Sequence, residues 1–586
     1  MFACAFACSC SNDDTGLASG DEPKVFTGDE AYINVRLLDA GSSMRATGAN
    51  PEYEYGSANE HAVKNAFFYF FDANGLMVSE GSAWNGGSAN GATPVENIEF
   101  KSNSVVVLKG LTKKNYPKYM VTVLNRPTGF SVPQGTTLEE LRQKLAEENA
   151  VGITVKDGTT DYFVMSTTSW AGQMDASNAA MPYYVTEVKE SNFSVEPVTE
   201  SNSNNYVPVY VERLAAKVTL DVDDNQLNPV TINGQKYYKI KASVAGEGND
   251  DDVASAGTQT AAEDLYVRLD GWKLNATAKK SYMLKNINES WDNTAAGSLG
   301  FVWNKPSDFR SFWGMSFNYG QSGYPANAAG AAASQWLDYF NLNNPLALGA
   351  NSYCAENTNT SAIVTANYPS AVTCALLKAT VCDANGNPLD LVRFNGLLFK
   401  QSTFTQYVIN VVKGKYGWNV WKKTSAEGVT PATYVQAGAD DVELVNVGDG
   451  VVKVVLKAGT QLYAKGGTDA EPSFTEISDY TALNGNLATE SAGAIGYTGG
   501  LMYYNIPIEH LNPNAVANNV IPEAKYGVVR NHHYVLTVNK LEKMGKGIFD
   551  PDEVIVPGDD FDDDTYYVGA KINILSWKIV NQGVEL

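Results

Sequence analysis

Histidine is scarce in this chain of 586 residues, which has only four: His61, His510, His532 and His533. The HExxH, GxSxG, Walker and Rossmann fingerprints of common enzyme classes are also missing. Adjacent residues of a strand point to opposite faces, so His532 and His533 make a poor ligand pair for one metal. We therefore expect no catalytic residue, no cofactor and no metal site, and predict that the chain is not an enzyme.

Charged residues are few, and one sign dominates. They make up 18% of the chain, and 65 acidic against 43 basic residues give a net charge of −22. An acidic surface repels phosphate backbones, so we expect no nucleic acid as a partner. Acidic clusters at 221–224, 250–252 and 562–564 lack the spacing of a calcium loop and are expected to be solvated.

Long apolar runs are absent as well. No stretch reaches the roughly 18 residues of a membrane-spanning helix. Any attachment to a membrane is therefore expected to come from a lipid, and a single lipid chain alone binds only marginally.

No CxxC pair occurs, which argues against a zinc or thioredoxin-type site. The six cysteines form an N-terminal and a later group: Cys4, Cys8, Cys10, Cys354, Cys374 and Cys382. For the later group, a disulfide in an oxidising compartment and buried free thiols both stay open.

Tyrosine and glycine are plentiful, at 32 and 51 residues, which suits short strands joined by turns. Alternating runs and short apolar runs predict these strands: Ile33–Leu37, Val63–Phe71, Ser104–Leu108, Tyr119–Asn125, Asp161–Ser166, Tyr206–Leu220, Tyr237–Val244, Gly271–Ala276, Leu376–Cys382, Phe404–Val412, Met502–Ile508 and Tyr534–Asn539. Many short strands between turns predict a mainly all-β fold of β-sandwiches.

One helix is predicted, over residues 137–149. Thr137 can cap it, and Glu140 completes a capping box. A chain of this length exceeds a single core, so two or more domains are expected. The long alternating run 207–220 is expected to lead from one sandwich into the next, which places the boundary near residue 213.

The first ten residues resemble a bacterial lipoprotein signal. They are small and apolar up to Cys10 and are followed by the polar run Ser11–Asp14. Cys10 is the preferred lipidation residue, and Cys8 is the alternative. Since a basic n-region is missing and the apolar stretch is short, we expect this signal to be incomplete.

A strand and a polar loop follow. Ile33, Val35 and Leu37 alternate with polar residues, and residues 41–48 form a small polar loop around Arg45. Exposed polar loops are preferred sites of proteolytic nicking. A cut after Arg45 would let the strand leave and open a hydrophobic groove.

The C-terminal end is apolar at every second position. The residues that carry this pattern are Tyr566, Val568, Ala570, Ile572 and Ile574, and Trp577 and Ile579 continue the apolar character. Chain ends are commonly polar and frayed, so this face must be buried. It either forms the last strand of its own sheet or fills the groove of a neighbouring subunit. The second arrangement is head-to-tail and propagates as a filament.

The order of these features resembles the Bacteroidales fimbrillins, the type V pilins, and most of all their short-fimbria major subunit branch. The matching segments are the region around Cys10, Arg45-Ala46, 63–75, 206–220, Tyr526–Tyr534 and 574–577. The resemblance implies two transthyretin-like β-sandwich domains with a few short helices, export as a lipoprotein and polymerisation by donor-strand exchange. It also implies that an Arg-specific protease removes the N-terminal strand. Arg45 is then the cleavage residue, Ala46 the mature N-terminus and 566–586 the donor.

We accordingly predict five segments. They are 1–10, an incomplete lipoprotein signal; 11–45, a propeptide with the N-terminal strand; 46–213, an N-terminal sandwich; 214–549, a C-terminal sandwich; and 550–586, an acidic linker with the donor strands. The expected partners are identical subunits, fimbrial anchor and tip proteins, the Arg-specific protease and, before maturation, the outer membrane through the lipid. The expected location is a cell-surface fimbria.

Two other functions stay open. The aromatic stretch Phe309–Tyr324 could stack on sugars in a surface adhesin or glycan-binding lipoprotein that does not polymerise. A surface hydrolase would need two opposed carboxylates in a cleft, and nothing in the sequence nominates such a pair.

Overall fold

The computed structural model describes sixteen stretches of the chain. They are residues 30–38, 53–54, 57–84, 104–109, 117–146, 152–167, 185–194, 207–245, 259–286, 314–322, 324, 335–360, 362–363, 368–510, 525–558 and 568–577.

Twelve of the described strands precede residue 214. They are β1 (Glu30–Leu38), β2 (Tyr53–Glu54), β3 (Ala66–Phe71), β4 (Met77–Trp84), β5 (Ser104–Lys109), β6 (Tyr119–Leu124), β7 (Thr154–Asp157), β8 (Thr160–Phe163), β9 (Met165–Thr167), β10 (Thr186–Glu187), β11 (Phe193–Ser194) and β12 (Val207–Arg213).

The other strands follow residue 214. They are β13 (Ala215–Val222), β14 (Val230–Ile232), β15 (Gln235–Ala245), β16 (Gln259–Asn275), β17 (Thr277–Ala278), β18 (Leu337–Asp338), β19 (Asn351–Ala355), β20 (Asn357–Thr358), β21 (Cys374–Cys382), β22 (Leu391–Phe394), β23 (Leu397–Lys400), β24 (Trp421–Lys423), β25 (Tyr434–Gln436), β26 (Val442–Gly448), β27 (Val451–Leu456), β28 (Leu462–Gly467), β29 (Pro472–Glu476), β30 (Ala494–Tyr497), β31 (Leu501–Pro507), β32 (Gly527–Val528), β33 (His532–Leu541), β34 (Lys546–Gly547) and β35 (Val568–Trp577). The described α-helices are α1 (Leu138–Arg142), α2 (Asp224–Leu227), α3 (Gln401–Tyr416) and α4 (Thr481–Glu490).

The first sheet contains most strands that precede residue 214. Its described strands run in the order β11-β1-β12-β9-β6-β3-β4, with β5 also paired to β1 and β10 to β6. Successive residues of β3 enter different apolar clusters, because side chains alternate across a strand. Phe68 and Phe70 pack in one cluster, and Tyr69 and Phe71 pack in another. The first sheet is thus apolar on both of its faces.

The chain passes from the first sheet to the second within two residues. Strand β12 ends at Arg213, and β13 begins at Ala215. This passage lies where the sequence predicted a domain boundary, although the residue ranges of the predicted domains stay predictions. The intervening Leu214 is fully buried.

Two sheets enclose the core of the second half. The second sheet has the order β19-β13-β33-β35-β2, and the third has the order β26-β27-β30-β22-β23-β15-β16-β21-β31-β34, with β14 paired to β15. Val218 and Leu536 of the second sheet share one apolar cluster with Val267, Leu377 and Tyr504 of the third. This cluster is the interior of a sandwich.

The prediction of a mainly all-β fold with a few short helices is confirmed. The strand predicted over Phe404–Val412 is wrong, since these residues belong to helix α3. Phe404, Val408 and Val412 are all buried and four residues apart, which is the spacing of one helix face.

Helix α1 begins as predicted but is shorter. The Thr137 hydroxyl accepts a hydrogen bond from the Glu140 amide, and the Glu140 carboxylate accepts one from the Thr137 amide. The helix ends at Arg142 instead of residue 149. The residues that follow the helix form a β-bridge instead, in which the backbone amide of Ala146 donates to the carbonyl of Ser281 at 2.8 Å.

Among the described residues, no helix is both long and apolar enough to cross a membrane.

Candidate functional site: the first and the last strand

Strand β1 lies inside the first sheet and is paired along both edges. On one edge it runs antiparallel to β5, with Ile33 paired to Val106. On the other edge it meets β11, where Ile33 is paired to Phe193, and then runs parallel to β12, where Val35 is paired to Val207. Because both edges of β1 carry ladder bonds, its removal would leave unpaired backbone groups on both sides of a slot.

Ile33 anchors β1 in the core. Its side chain has no exposed surface and shares an apolar cluster with Phe70 and Phe193. Full burial of such a side chain is worth about 1.5–3 kcal/mol. Val35 and Leu37, which were predicted to leave together with Ile33, follow at alternate positions of the same strand.

The residues predicted for processing lie outside the described part of the chain. Cys10, its alternative Cys8, and the Arg45-Ala46 bond all belong to this group. The described chain stops at Leu38 and resumes at Tyr53, so Arg45 lies between β1 and β2 in sequence. These assignments stay predictions.

The C-terminal strand β35 lies in the second sheet of its own chain. It runs antiparallel to β33, with Ile574 paired to Tyr534. On its other edge, the described part of the chain contributes two paired residues, Tyr53 and Glu54 of β2, in parallel orientation. This is the first of the two arrangements that the sequence left open. Five of the predicted donor residues lie on β35: Val568, Ala570, Ile572, Ile574 and Trp577. The other two, Tyr566 and Ile579, lie outside the described residues.

A buried polar network joins the first sheet to the second. The carboxylate of Glu60, in the turn before β3, lies 2.9 Å from the Nζ of Lys217 in β13. The guanidinium Nε of Arg213 donates to the backbone carbonyl of Glu60, and the Tyr353 hydroxyl donates to the Glu60 carboxylate. Burial alone would raise the pKa of Glu60, but the hydrogen bonds from Tyr353, Lys217 and the Ser57 amide outweigh it and lower the pKa.

A second buried network fixes the start of β33. Arg530 has no exposed surface, and its Nε lies 3.3 Å from Oε2 of Glu356. Its Nη1 and Nη2 donate to the carbonyls of Met283 and Tyr282. The hydroxyl of Tyr534 accepts from the Val529 amide at 2.8 Å. These contacts hold β33, the main partner of β35, in place from the side of the core.

Sequence reasoning missed both networks. The partners stand far apart in the chain, so no local spacing could reveal them. The one usable signal was the presence of charged residues, among them Arg213 and Lys217, inside the largely apolar run 207–220, since buried charges need partners.

The histidines of β33 have structural partners. His532 shares a hydrogen bond through Nδ1 with the carbonyl of Arg530, and His533 shares one through Nε2 with the hydroxyl of Thr219. Within the described ranges, no group of three or more His, Cys, Asp or Glu is placed to hold a metal ion.

The three later cysteines are buried free thiols, which is one of the two alternatives left open. Burial raises the pKa of Cys354 to about 12 and that of Cys382 to about 11. Burial also raises the pKa of Cys374 strongly. Thiols with raised pKa values react slowly, because the thiolate is the nucleophile.

The aromatic stretch proposed for sugar stacking is packed where it is described. Tyr324 is 8% exposed, and its hydroxyl donates to the carbonyl of Ala371. The rings of Phe317 and Trp336 lie 6.0 Å apart, and Trp336 also contacts Tyr324 edge-on. These rings pack against other parts of the same chain. Residues 309–313 lie outside the described part.

A family model matches the C-terminal part of the chain. Residues 496–583 match the family described as major fimbrial subunit protein type IV, fimbrillin, C-terminal. The match runs from β30 to beyond β35 and so includes both β33 and the predicted donor. It confirms the resemblance to fimbrillins, while the short-fimbria branch stays a prediction. A comparison with curated protein sequences found no match.

Several solved structures are similar along most of their length. A candidate cell adhesion protein from Bacteroides eggerthii is 12% identical, with 95% of this chain and 98% of that chain covered and a TM-score of 0.32. A fimbrilin from Porphyromonas gingivalis is 12% identical, with 94% and 98% covered and a TM-score of 0.31. A tip fimbrial protein from Porphyromonas gingivalis is 10% identical, with 94% and 100% covered and a TM-score of 0.28. Scores this low carry no functional argument.

Proposed function

We propose that this chain is a structural subunit of a bacterial cell-surface fimbria that polymerises by donor-strand exchange and supports adhesion. One observation carries the proposal: β1 is paired on both edges inside the first sheet, whereas β35 lies next to the edge of the second sheet. The match of residues 496–583 to the fimbrillin C-terminal family supports it.

Cleavage after Arg45 prepares the acceptor. The cut separates β1 from Ala46 and the rest of the chain, so β1 is then held by ladder bonds and by side chains such as Ile33 alone. Once β1 leaves, the slot offers unpaired backbone groups of β5 on one side and of β11 and β12 on the other. The apolar cluster around Phe193 also loses its contact with Ile33 and becomes exposed to solvent.

Once β1 has left, transfer of β35 into the empty slot is favourable because the donor gains a second ladder. In its own sheet β35 is paired with β33 from Val568 to Ser576, and among the described residues it shares two with β2. In the slot of a neighbour it would be paired along both edges. Each additional backbone hydrogen bond contributes about 0.5–1.5 kcal/mol.

The second sheet can survive the loss of β35. Strand β33 keeps its parallel pairing with β13, with Leu220 paired to Leu536, and the contacts of Arg530 stay in place. Strand β33 then becomes an edge strand, and β2 loses its partner in the sheet. The donor can therefore leave without dividing the sandwich that carries it.

The remaining steps follow from the predicted N-terminal segment. The chain is exported as an outer-membrane lipoprotein through Cys10, or alternatively Cys8, and an Arg-specific protease removes the lipidated segment. The mature subunit then joins identical subunits head-to-tail, between an anchor protein and a tip protein.

Controlled proteolysis tests the proposal. The full chain is treated with an Arg-specific protease, and filaments are scored by negative-stain electron microscopy. Arg45→Ala should abolish both cleavage and filaments. Arg45→Lys should resist the Arg-specific protease but form filaments after trypsin. Monomers that stay monomeric after complete cleavage at Arg45 would overturn the proposal.

A further inference from the structure

The first and the last described strands share a short sequence. Strand β1 contains Ala31-Tyr32-Ile33-Asn34-Val35, and β35 contains Ala570-Lys571-Ile572-Asn573-Ile574. Alanine, isoleucine and asparagine recur at the same three positions, and a β-branched aliphatic residue follows in both. The two strands are also similar in length, at nine and ten residues.

Two alignments of β35 on the vacated β1 position keep the apolar residues on the core face and also cover at least eight of the nine residues of β1. A slip of one residue would reverse the two faces and is excluded. In the first alignment Ile572 stands at the position of Ile33. In the second, shifted by two residues, Ala570 stands there and Ile572 stands at the position of Val35.

The burial of Ile33 decides between them. Ile33 has no exposed surface and packs in the cluster of Phe70 and Phe193. Alanine at this position would leave a cavity, and a buried Ile→Ala change typically weakens an equilibrium by a factor of about 30 or more. Isoleucine at this position leaves the packing unchanged.

The first alignment has one drawback. It sets Ser576 at the position of Leu37, whereas the second alignment sets Ile574 there. Leu37 is the second-last residue of β1, while Ile33 is paired on both edges at once, with Val106 and with Phe193. The match at the doubly paired position therefore outweighs the mismatch near the strand end.

We propose that the donor strand enters in the first alignment, so that Ile572 replaces Ile33 and Asn573 replaces Asn34 of the neighbouring subunit. This proposal rests on the proposed function. It follows that Asn573 of one subunit is paired with Val105 of the next, because Asn34 is paired with Val105 in the uncut chain. The shared Ala-X-Ile-Asn sequence then specifies the register of the subunits.

Cysteine cross-linking tests the alignment in the full chain. Val105→Cys is combined with Asn573→Cys for the first alignment and with Lys571→Cys for the second. Each variant is cleaved at Arg45, allowed to assemble and oxidised briefly. The Asn573 variant should give a ladder of covalent oligomers on non-reducing gels, at a rate at least tenfold above that of the Lys571 variant.

The outcomes separate the two proposals. Faster cross-linking of the Lys571 variant overturns the alignment, and so do filaments in which neither pair cross-links. Neither of these results contradicts the proposed fimbrial function. If the cleaved, unsubstituted chain forms no filaments, the function itself is overturned. Ile572→Ala adds an independent measure: filaments of this variant should dissociate in denaturant at least tenfold faster, with Ile572→Val as the matched control.

Discussion

Glu60 and Lys217 form a buried ion pair between the two halves of the protein. Nζ of Lys217 lies 2.9 Å from Oε1 of Glu60, and each side chain is only 2% exposed. Glu60 precedes β3 of the first sheet, and Lys217 lies in β13 of the second. The pair therefore fixes the first sheet against the second.

Breaking this pair from one side should be costly. Glu60→Gln leaves Lys217 charged and buried, and losses of about 3–5 kcal/mol are usual for such changes. The combined variant Glu60→Gln, Lys217→Met should recover much of the loss. Asp157→Asn is the control, since the Lys64–Asp157 pair is exposed and should be worth under about 1 kcal/mol. Urea unfolding measures the free energy of unfolding of all three variants. Equal losses of stability in Glu60→Gln and Asp157→Asn would refute the assignment of a costly buried ion pair.

The same pair predicts a dependence on acid. The pKa of Glu60 is lowered in the folded protein from its ordinary value of 4.5. A group with a lowered folded-state pKa contributes stability above its unfolded pKa and loses it as the pH falls through the folded value. The stability difference between the natural chain and Glu60→Gln should therefore shrink between pH 6 and pH 3. A difference that is constant over this range would count against the lowered pKa.

The cysteines offer a test of the core. In a chain that begins at Ala46, Cys354, Cys374 and Cys382 are the only thiols. All three are buried, and burial raises their pKa values. Native protein at pH 8 should react hardly at all with a colourimetric thiol reagent, and denatured protein should release three equivalents without reductant. Fewer than three equivalents would indicate a disulfide.

A chain that ends before the donor should terminate filaments. A variant truncated after residue 565 keeps the acceptor slot but has no β35, so it can receive a strand and cannot give one. Added to intact, cleaved subunits at one part in ten, it should shorten filaments severalfold in electron micrographs. The control is the same truncation combined with Arg45→Ala, which keeps β1 and should leave filament length unchanged. Unaltered length with both variants would contradict donor-strand exchange.

Strand-like sequence pattern was a sound guide to the strands of this protein. It located β3 and β21 as apolar runs, which are buried on both faces, and β33 by period-two alternation. It failed for α3, where Phe404, Val408 and Val412 lie among β-branched residues that favour strands locally. Packing of one helix face against the core outweighed this local preference.

The two-sided pairing of β1 was beyond the reach of sequence patterns. Its parallel partner Val207 and its antiparallel partner Val106 stand far from Ile33 in the chain, and pairing between distant strands leaves no local signal. For the same reason the sequence could not decide where β35 is buried. The alternating apolar residues of β35 required that one face be buried, but they did not indicate which sheet would bury it.

The fate of the peptide that ends at Arg45 tests the central claim most directly. After complete cleavage, monomers and oligomers are separated by size, and denaturing mass spectrometry gives the number of peptides retained per subunit. Donor-strand exchange predicts that an oligomer of any length retains at most one peptide, on the terminal subunit whose slot is unfilled. Oligomers that keep one peptide for every subunit would show that β1 never leaves, and would contradict the account.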